Sequence, residues 1–343
     1  MFEKSLFRFV ATLAALMLLM GTAQAVTIDL VPVGNPGNAG ELSGAGAGGY
    51  GPDAIVGGVD YLYWIGKYEV TTGQYTEFLN AVADTDTYGL YSTEMWSNDR
   101  GCKIQRNGSS GSYSYSVAGD RANRPVDFVS WGDAARFANW LHNGQPSGVQ
   151  DNSTTEDGAY SLNGATSDSA LMAITRESDA RYFIPTEKEW YKAAYHKNDG
   201  VTGNYFDYPT ASDLVPSNDL LTPDGGNNAN FNDGGYTIGS PYYSTAVGEF
   251  ENSASPYGTF DQGGNSEEWN ETEISAGSSR GLRGGHWYGG SSYNLRASVR
   301  YNVYPTYENC YIGFRVASVP EPGSITLLLC GAVAAWIWWR RRK

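Results

Sequence analysis

Cysteine and histidine are both scarce in this chain, with three of each among 343 residues. So few cysteines exclude a disulfide-dense scaffold. A three-histidine metal centre would need His142, His196 and His286 together, and these stand in unrelated parts of the sequence. Charge is scarce as well: 17% of residues are Asp, Glu, Lys or Arg, and the net charge is −14. Such a chain lacks the basic face that a phosphate backbone requires, which excludes nucleic acid as a partner. Between the two ends there is no apolar run of the ~20 residues that a bilayer span needs, no repeat and no convincing linker.

Aromatic residues and glycine are abundant instead. Phe, Trp and Tyr make up 14% of the chain, with 25 Tyr and 10 Trp, and there are 43 Gly. That mixture is too aromatic for disorder. It predicts an irregular, loop-rich fold held together by Tyr and Trp packing.

Both chain ends read as addresses. Residues 1–25 have the form of a secretory signal peptide: Lys4 and Arg8 are basic, Val10 to Met20 is apolar, and Ala23-Gln24-Ala25 suits cleavage. Residues 319–343 carry Val319-Pro320-Glu321-Pro322-Gly323, an apolar stretch from Ile325 to Trp339, and Arg340-Arg341-Arg342-Lys343. This tail resembles the PEP-CTERM sorting signal of Gram-negative bacteria. The resemblance implies export to the cell envelope or extracellular surface, a transient C-terminal membrane helix, and processing by an exosortase-type protease. About 290 residues remain between the addresses, which suits one large domain. Cys330 falls in the tail. The two other cysteines are an even count in an exported portion and predict a Cys102–Cys310 disulfide, the alternative being two buried thiols.

Val26 to Val33 and Tyr61 to Gly66 alternate as strands, and Asn35 to Gly58 reads as a Gly-rich connector. Residues 26–59 are thus expected to be an N-terminal strand and connector ahead of a domain at 60–318. Tyr75, Phe78, Leu79 and Val82 have helical spacing behind Thr71-Thr72, and Ala134, Phe137, Ala138 and Leu141 repeat it behind Ser130. Thr186 and Glu189 form a capping box before Trp190, Ala193 and Ala194. Helices followed by irregular strands predict an α+β domain.

Several blocks then fall in order: Tyr63 to Thr71, Arg124-Pro125-Val126 with Val129-Ser130-Trp131, Ile184 to Ala194, Tyr257 to Trp269, Arg283 to Trp287, and Ile312 to Val316. Together they resemble the sulfatase-modifying-factor family, best known for formylglycine-generating enzyme. The resemblance implies the formylglycine-generating-enzyme variant of the C-type lectin fold, loop-rich with little regular secondary structure. Trp131, Trp190 and Trp269 are expected in its core.

In the enzymatic branch of that family, a cysteine pair binds copper(I) and oxidises a sulfatase cysteine to formylglycine. The corresponding positions here are Gly289 and Asn294, which offer no soft sulfur ligand, so copper is not expected. The family's calcium loop implies, by position, Asp261, the carbonyls of Gly264 and Ser266, and the Glu268 carboxylate, which are hard oxygen ligands. Asn230 marks a second implied calcium position. Arg296 and Arg300 are expected in structural ion pairs.

The stretch from His286 to Tyr307 is rich in Tyr, Asn, Ser and Trp, a composition suited to contact surfaces. His286, Trp287, Tyr288, Tyr293 and Tyr304 are its candidate ligand contacts, with an extracellular glycan or protein as partner. Two alternatives to a non-catalytic binding module stand beside it: an oxidoreductase of the formylglycine-generating type using a non-standard site, and a structural role in an extracellular matrix.

Overall fold

A computed structural model describes residues 25–289 and 291–319. All but one residue of the signal segment, and all but one residue of the sorting tail, lie outside the described residues. Among the described residues no helix is long and apolar enough to cross a membrane.

The helices form where their caps and periodicity direct. They run Thr72–Val82, Trp131–His142 and Glu187–Tyr195. Each opens with a reciprocal capping box, Thr71 with Gln74, Ser130 with Asp133 and Thr186 with Glu189. The box satisfies amides that an exposed helix start would leave to water. The Trp131–His142 helix is buried from Trp131 to Leu141, so it is the central pillar and not a surface element. Tyr75, Phe78, Phe137 and Phe314 meet against it, with Phe78 and Phe137 centroids 5.3 Å apart and Phe137 and Phe314 centroids 5.4 Å apart.

Two four-stranded sheets flank these helices. The first has the order β1 (Leu30–Val33), β4 (Tyr63–Gly66), β12 (Ala317–Ser318), β7 (Tyr182–Phe183), all antiparallel. The second runs β10 (Tyr301–Val303), β9 (Ser279–Arg283), β8 (Glu267–Ser275), β11 (Ile312–Gly313), with β11 parallel to β8. Smaller hairpins pair β2 (Glu41–Ser43) with β3 (Ala54–Val56) and β5 (Gln105–Asn107) with β6 (Ser114–Ser116).

The N-terminal segment corrects one expectation. Residues 35–58 are not a plain connector, because they contain the β2–β3 hairpin. Nor is the segment outside the domain: β1 pairs with β4 in register Leu30↔Gly66 to Val33↔Tyr63. Trp131, Trp190 and Trp269 are fully buried, as expected.

Candidate functional site

The β8 strand carries adjacent glutamates that meet different surroundings, because successive strand side chains point to opposite faces. Glu268 faces the core. Arg315 approaches it with Nε to Oε2 at 2.6 Å and Nη2 to Oε1 at 2.6 Å, while Trp190 Nε1 donates to Oε2 at 2.7 Å. Both carboxylate oxygens are therefore committed inside a fully buried pair. Arg315 spends its remaining donors on the carbonyls of Gly66 and Phe260, each at 2.9 Å.

This geometry corrects the calcium set implied by the resemblance. Glu268 cannot serve as its carboxylate ligand, because displacing the guanidinium would leave Arg315 buried without its charge partner. Asp261 Oδ2 accepts the Gly248 N–H at 2.6 Å, and burial lifts this carboxyl to about 6. Gly264 has φ +81 and lies against the Asn230 backbone, so the loop is shaped by a close approach that a side chain would block. Nearby Glu69 accepts from Asn265 Nδ2 and the Ser266 N–H, each at 3.0 Å, and its carboxyl is pushed well up by burial, then by the charges of Asp261 and Glu268. Asn230 donates to Tyr243 O and Asn265 Oδ1, each at 3.0 Å, and keeps a buried Oδ1 with no partner. Among the described residues no group of three or more His, Cys, Asp or Glu is placed to hold a metal ion. The residues present do not fit the implied first calcium site, and at the implied second position Asn230 offers a single unpartnered oxygen.

A different ionic structure holds the start of the Glu187–Tyr195 helix. Glu187 accepts from Arg283 at 2.6 Å and Arg300 at 2.6 Å, all three side chains being buried. Arg300 thus has the structural ion pair expected of it. Arg296 does not: its Nε donates to the Tyr208 hydroxyl at 3.1 Å and its guanidinium lies over Tyr293.

The histidines differ in their surroundings. His196 is fully buried, with Nδ1 2.8 Å from the Tyr257 hydroxyl. His142 Nδ1 accepts the Arg181 N–H at 3.1 Å. His286 is half-buried, and desolvation lowers its imidazole to about 4, so it is neutral at pH 7.

The predicted Cys102–Cys310 disulfide is not formed in this structure; both residues are buried free thiols. Each has its own acceptor. Cys102 Sγ points at the Asp127 carbonyl and Cys310 Sγ lies 3.4 Å from Asn309 Oδ1. Burial, followed by the charge of Asp127, pushes the Cys102 thiol well up and the Cys310 thiol to about 11. Thiolate is the reactive and metal-binding form, so both sulfurs are chemically quiet. Folded protein is expected to resist alkylation at both residues and to gain one label at each after denaturation, read by peptide mass mapping that separates them from Cys330. A Cys102–Cys310 linked peptide two protons lighter, with no label on either residue, would restore the disulfide.

The residues of the expected contact face divide into exposed aromatic rings and a buried support. Trp287 is corrected from ligand contact to support: it is 2% exposed and its Nε1 donates to the Cys310 carbonyl at 3.3 Å. Tyr243 packs on it at 4.9 Å and Tyr288 at 5.5 Å. Tyr288 is 44% exposed and Tyr304 47% exposed. His286, Tyr288 and Tyr311 form a nearly parallel set, His286 lying 4.1 Å from Tyr311 with a 17° tilt and Tyr288 6.2 Å from Tyr311 with a 12° tilt. Tyr293 sits on a short 3-10 turn, Ser292–Leu295. Gly289 and Asn294 are adjacent to each other: a Cβ on Gly289 would meet Asn294 Nδ2 at 2.9 Å and His286 Cε1 at 3.4 Å.

Sequence reasoning missed three contributors. Arg100 lies over the Tyr288 ring at 4.8 Å and over Tyr243 at 5.7 Å. Tyr311 carries the stacked imidazole, and the Glu267 N–H donates to the Tyr311 carbonyl at 2.9 Å. For Glu267 a signal existed, since alternation along a strand requires one of two adjacent glutamates to face away from the Arg315 pair.

The sulfatase-modifying factor enzyme 1-like domain family matches residues 59–319. No curated protein matches the sequence. Among solved structures the chain is similar to CarF, with 19% identity, coverage of 86% of this chain and 99% of that one, and a TM-score of 0.49. It is also similar to Treponema denticola variable protein 1, at 18% identity, 87% and 98% coverage and a TM-score of 0.48. PvdO from Pseudomonas aeruginosa gives 18% identity, 86% and 93% coverage and a TM-score of 0.45.

Proposed function

From the premise that the chain belongs to the sulfatase-modifying factor enzyme 1-like family, we propose that it is a non-catalytic binding module whose ligand face is the aromatic cluster around His286 and Tyr288. One observation carries this reading. At the positions corresponding to the family's copper-binding cysteines stand Gly289 and Asn294, while the only thiols among the described residues are buried and protonated. Soft sulfur donors are what copper(I) selects. The place that would hold the metal is lined instead by an imidazole, an amide and phenol rings.

The remainder of the reading rests on the sequence. The signal segment and the Val319–Lys343 tail support export and surface sorting with exosortase-type processing, so the partner is an extracellular glycan or protein. A lectin-type architecture, as the family resemblance implies, would present this face outward.

Tyr288→Ala is expected to weaken ligand capture by about 1–4 kcal/mol, the range for a central aromatic anchor, with Tyr304→Ala contributing less at the edge. Binding to a glycan array and to intact cells would be compared for the two variants. The rival oxidoreductase reading predicts conversion of a cysteine-containing sulfatase peptide to its aldehyde with copper and dioxygen, followed by mass spectrometry. Aldehyde formation would overturn the binding-module reading, and capture unaffected by both tyrosine substitutions would move the ligand to another face.

A further inference from the structure

A cleft of about 620 Å³ opens between the β2–β3 hairpin, the start of the Glu187–Tyr195 helix and the far end of β8. None of its lining residues belongs to the aromatic cluster, and neither Gly289 nor Asn294 reaches it. Residues 52–56 line it without a gap, and so do Thr272, Glu273 and Ile274. The face of a strand would offer only every second residue, because side chains alternate. An unbroken run means that the cleft meets each strand along its edge. The pairings agree. β3 gives one edge to β2, and among the described residues no strand pairs with its other edge. β8 pairs through Glu273 and Ser275 with β9, whereas β11 covers its opposite edge only at Glu267 and Glu268. Two strand edges thus face one open space, and an unpaired edge is a template for another chain.

The side chains around the cleft select among occupants. Ile55 is 60% exposed, and Tyr61 and the half-buried Ile274 add apolar surface. Arg300 and Glu187 are paired with each other at 2.6 Å. Of the other charged lining residues, Asp53, Asp60 and Glu273 are exposed carboxylates and Lys188 is the single ammonium. Asp53 and Glu273 accept only the neutral amides of Gly46 and Gly277, which leaves their charges uncompensated. The buried Lys192 is within electrostatic reach of Asp60 and tempers that one. The rim is therefore acidic, and the net charge of −14 steers cations toward it. A small molecule would leave the strand edges unused, and an acidic chain would be repelled. A basic chain in extended form answers both features.

We propose that this cleft binds an extended, lysine- or arginine-bearing segment of a partner protein, which adds as a strand to the free edge of β3 and lays apolar side chains against Ile55, Tyr61 and Ile274. The site is separate from the aromatic cluster and does not rest on the reading given for it.

The test is fluorescence polarisation of the full chain with a labelled heptapeptide that alternates lysine and valine. This peptide is expected to bind, and raising salt from about 0.05 to about 0.5 M should weaken it more than about threefold. A heptapeptide alternating glutamate and valine should bind at least about tenfold more weakly. N-methylation of either all valine amides or all lysine amides keeps every side chain while blocking one strand register. One of these two forms should lose about tenfold, the value of one or two hydrogen bonds. The peptide controls leave the protein unchanged, so misfolding cannot account for them. Asp60→Lys and Glu273→Lys should each weaken the lysine peptide by about three- to tenfold. Glu77→Lys, the same charge change on the exposed side of the Thr72–Val82 helix, should stay within about twofold of wild type. Absence of binding by the lysine–valine peptide would overturn the proposal. So would equal binding of the glutamate–valine peptide, undiminished binding of both methylated forms, or losses in Asp60→Lys and Glu273→Lys no greater than in Glu77→Lys.

Discussion

Glu187→Ala is expected to lower folding stability by about 3–5 kcal/mol, the usual result of leaving a buried charge without its partner. Here two guanidiniums are stranded, since Arg283 and Arg300 both close on Glu187 at 2.6 Å. Arg283 retains carbonyl acceptors in Ala297 and Val299, at 2.8 and 2.7 Å, which limits the loss. Urea denaturation would show the midpoint falling with little change in slope. Lys197→Ala, which breaks the half-exposed pair with Asp213, is the control and should change stability by less than about 1 kcal/mol. A similar small change for Glu187→Ala would refute the importance given to this cluster. The effect has a pH sign. Burial opposes ionisation of Glu187, but Arg283 and Arg300 prevail and hold its carboxyl below the usual range. Its contribution is therefore present above the unfolded carboxylate value and is lost as pH falls through the depressed folded value.

Glu268→Ala should be comparably destabilising, and by the same amount in calcium and in chelator. The carboxylate accepts three donors from Arg315 and Trp190, so its removal leaves a buried cation and an indole N–H unpaired whatever the solvent contains. A calcium ligand would behave otherwise, because an ion bound to the folded state adds stability in proportion to its concentration over Kd. Melting curves of wild type and variant with and without chelator separate the two. A loss confined to calcium-containing buffer would return Glu268 to the metal set and displace the ion-pair account.

The helices were legible because their information is local. A capping residue, an acidic or amide partner three positions on, and apolar spacing of three and four all lie within a dozen residues, and each helix starts at its capping box. The β2–β3 hairpin was not legible. Its strands are three residues long and lie in a Gly-rich stretch, where no alternation is long enough to register. The inclusion of β1 in the domain sheet likewise depends on β4, more than thirty positions away.

For the candidate site, composition and resemblance pointed to the stretch from His286 to Tyr307 and to Gly289 and Asn294 at the positions of the family's cysteines. They could not divide that stretch by depth. Trp287 and Tyr288 are neighbours in sequence, yet one is a buried prop and the other is exposed, because a turn orients them differently. The same limit applies to Glu267 and Glu268, which are chemically identical. By itself the sequence determined the family, the capped helices, the aromatic packing and the lack of thiols at Gly289 and Asn294. Only the tertiary structure decided which carboxylate is neutralised and which is left unpartnered. Charge pairing at Glu268 comes from Arg315, on a segment that reaches it through β11 beside β8, and such long-range pairing is written in no local pattern.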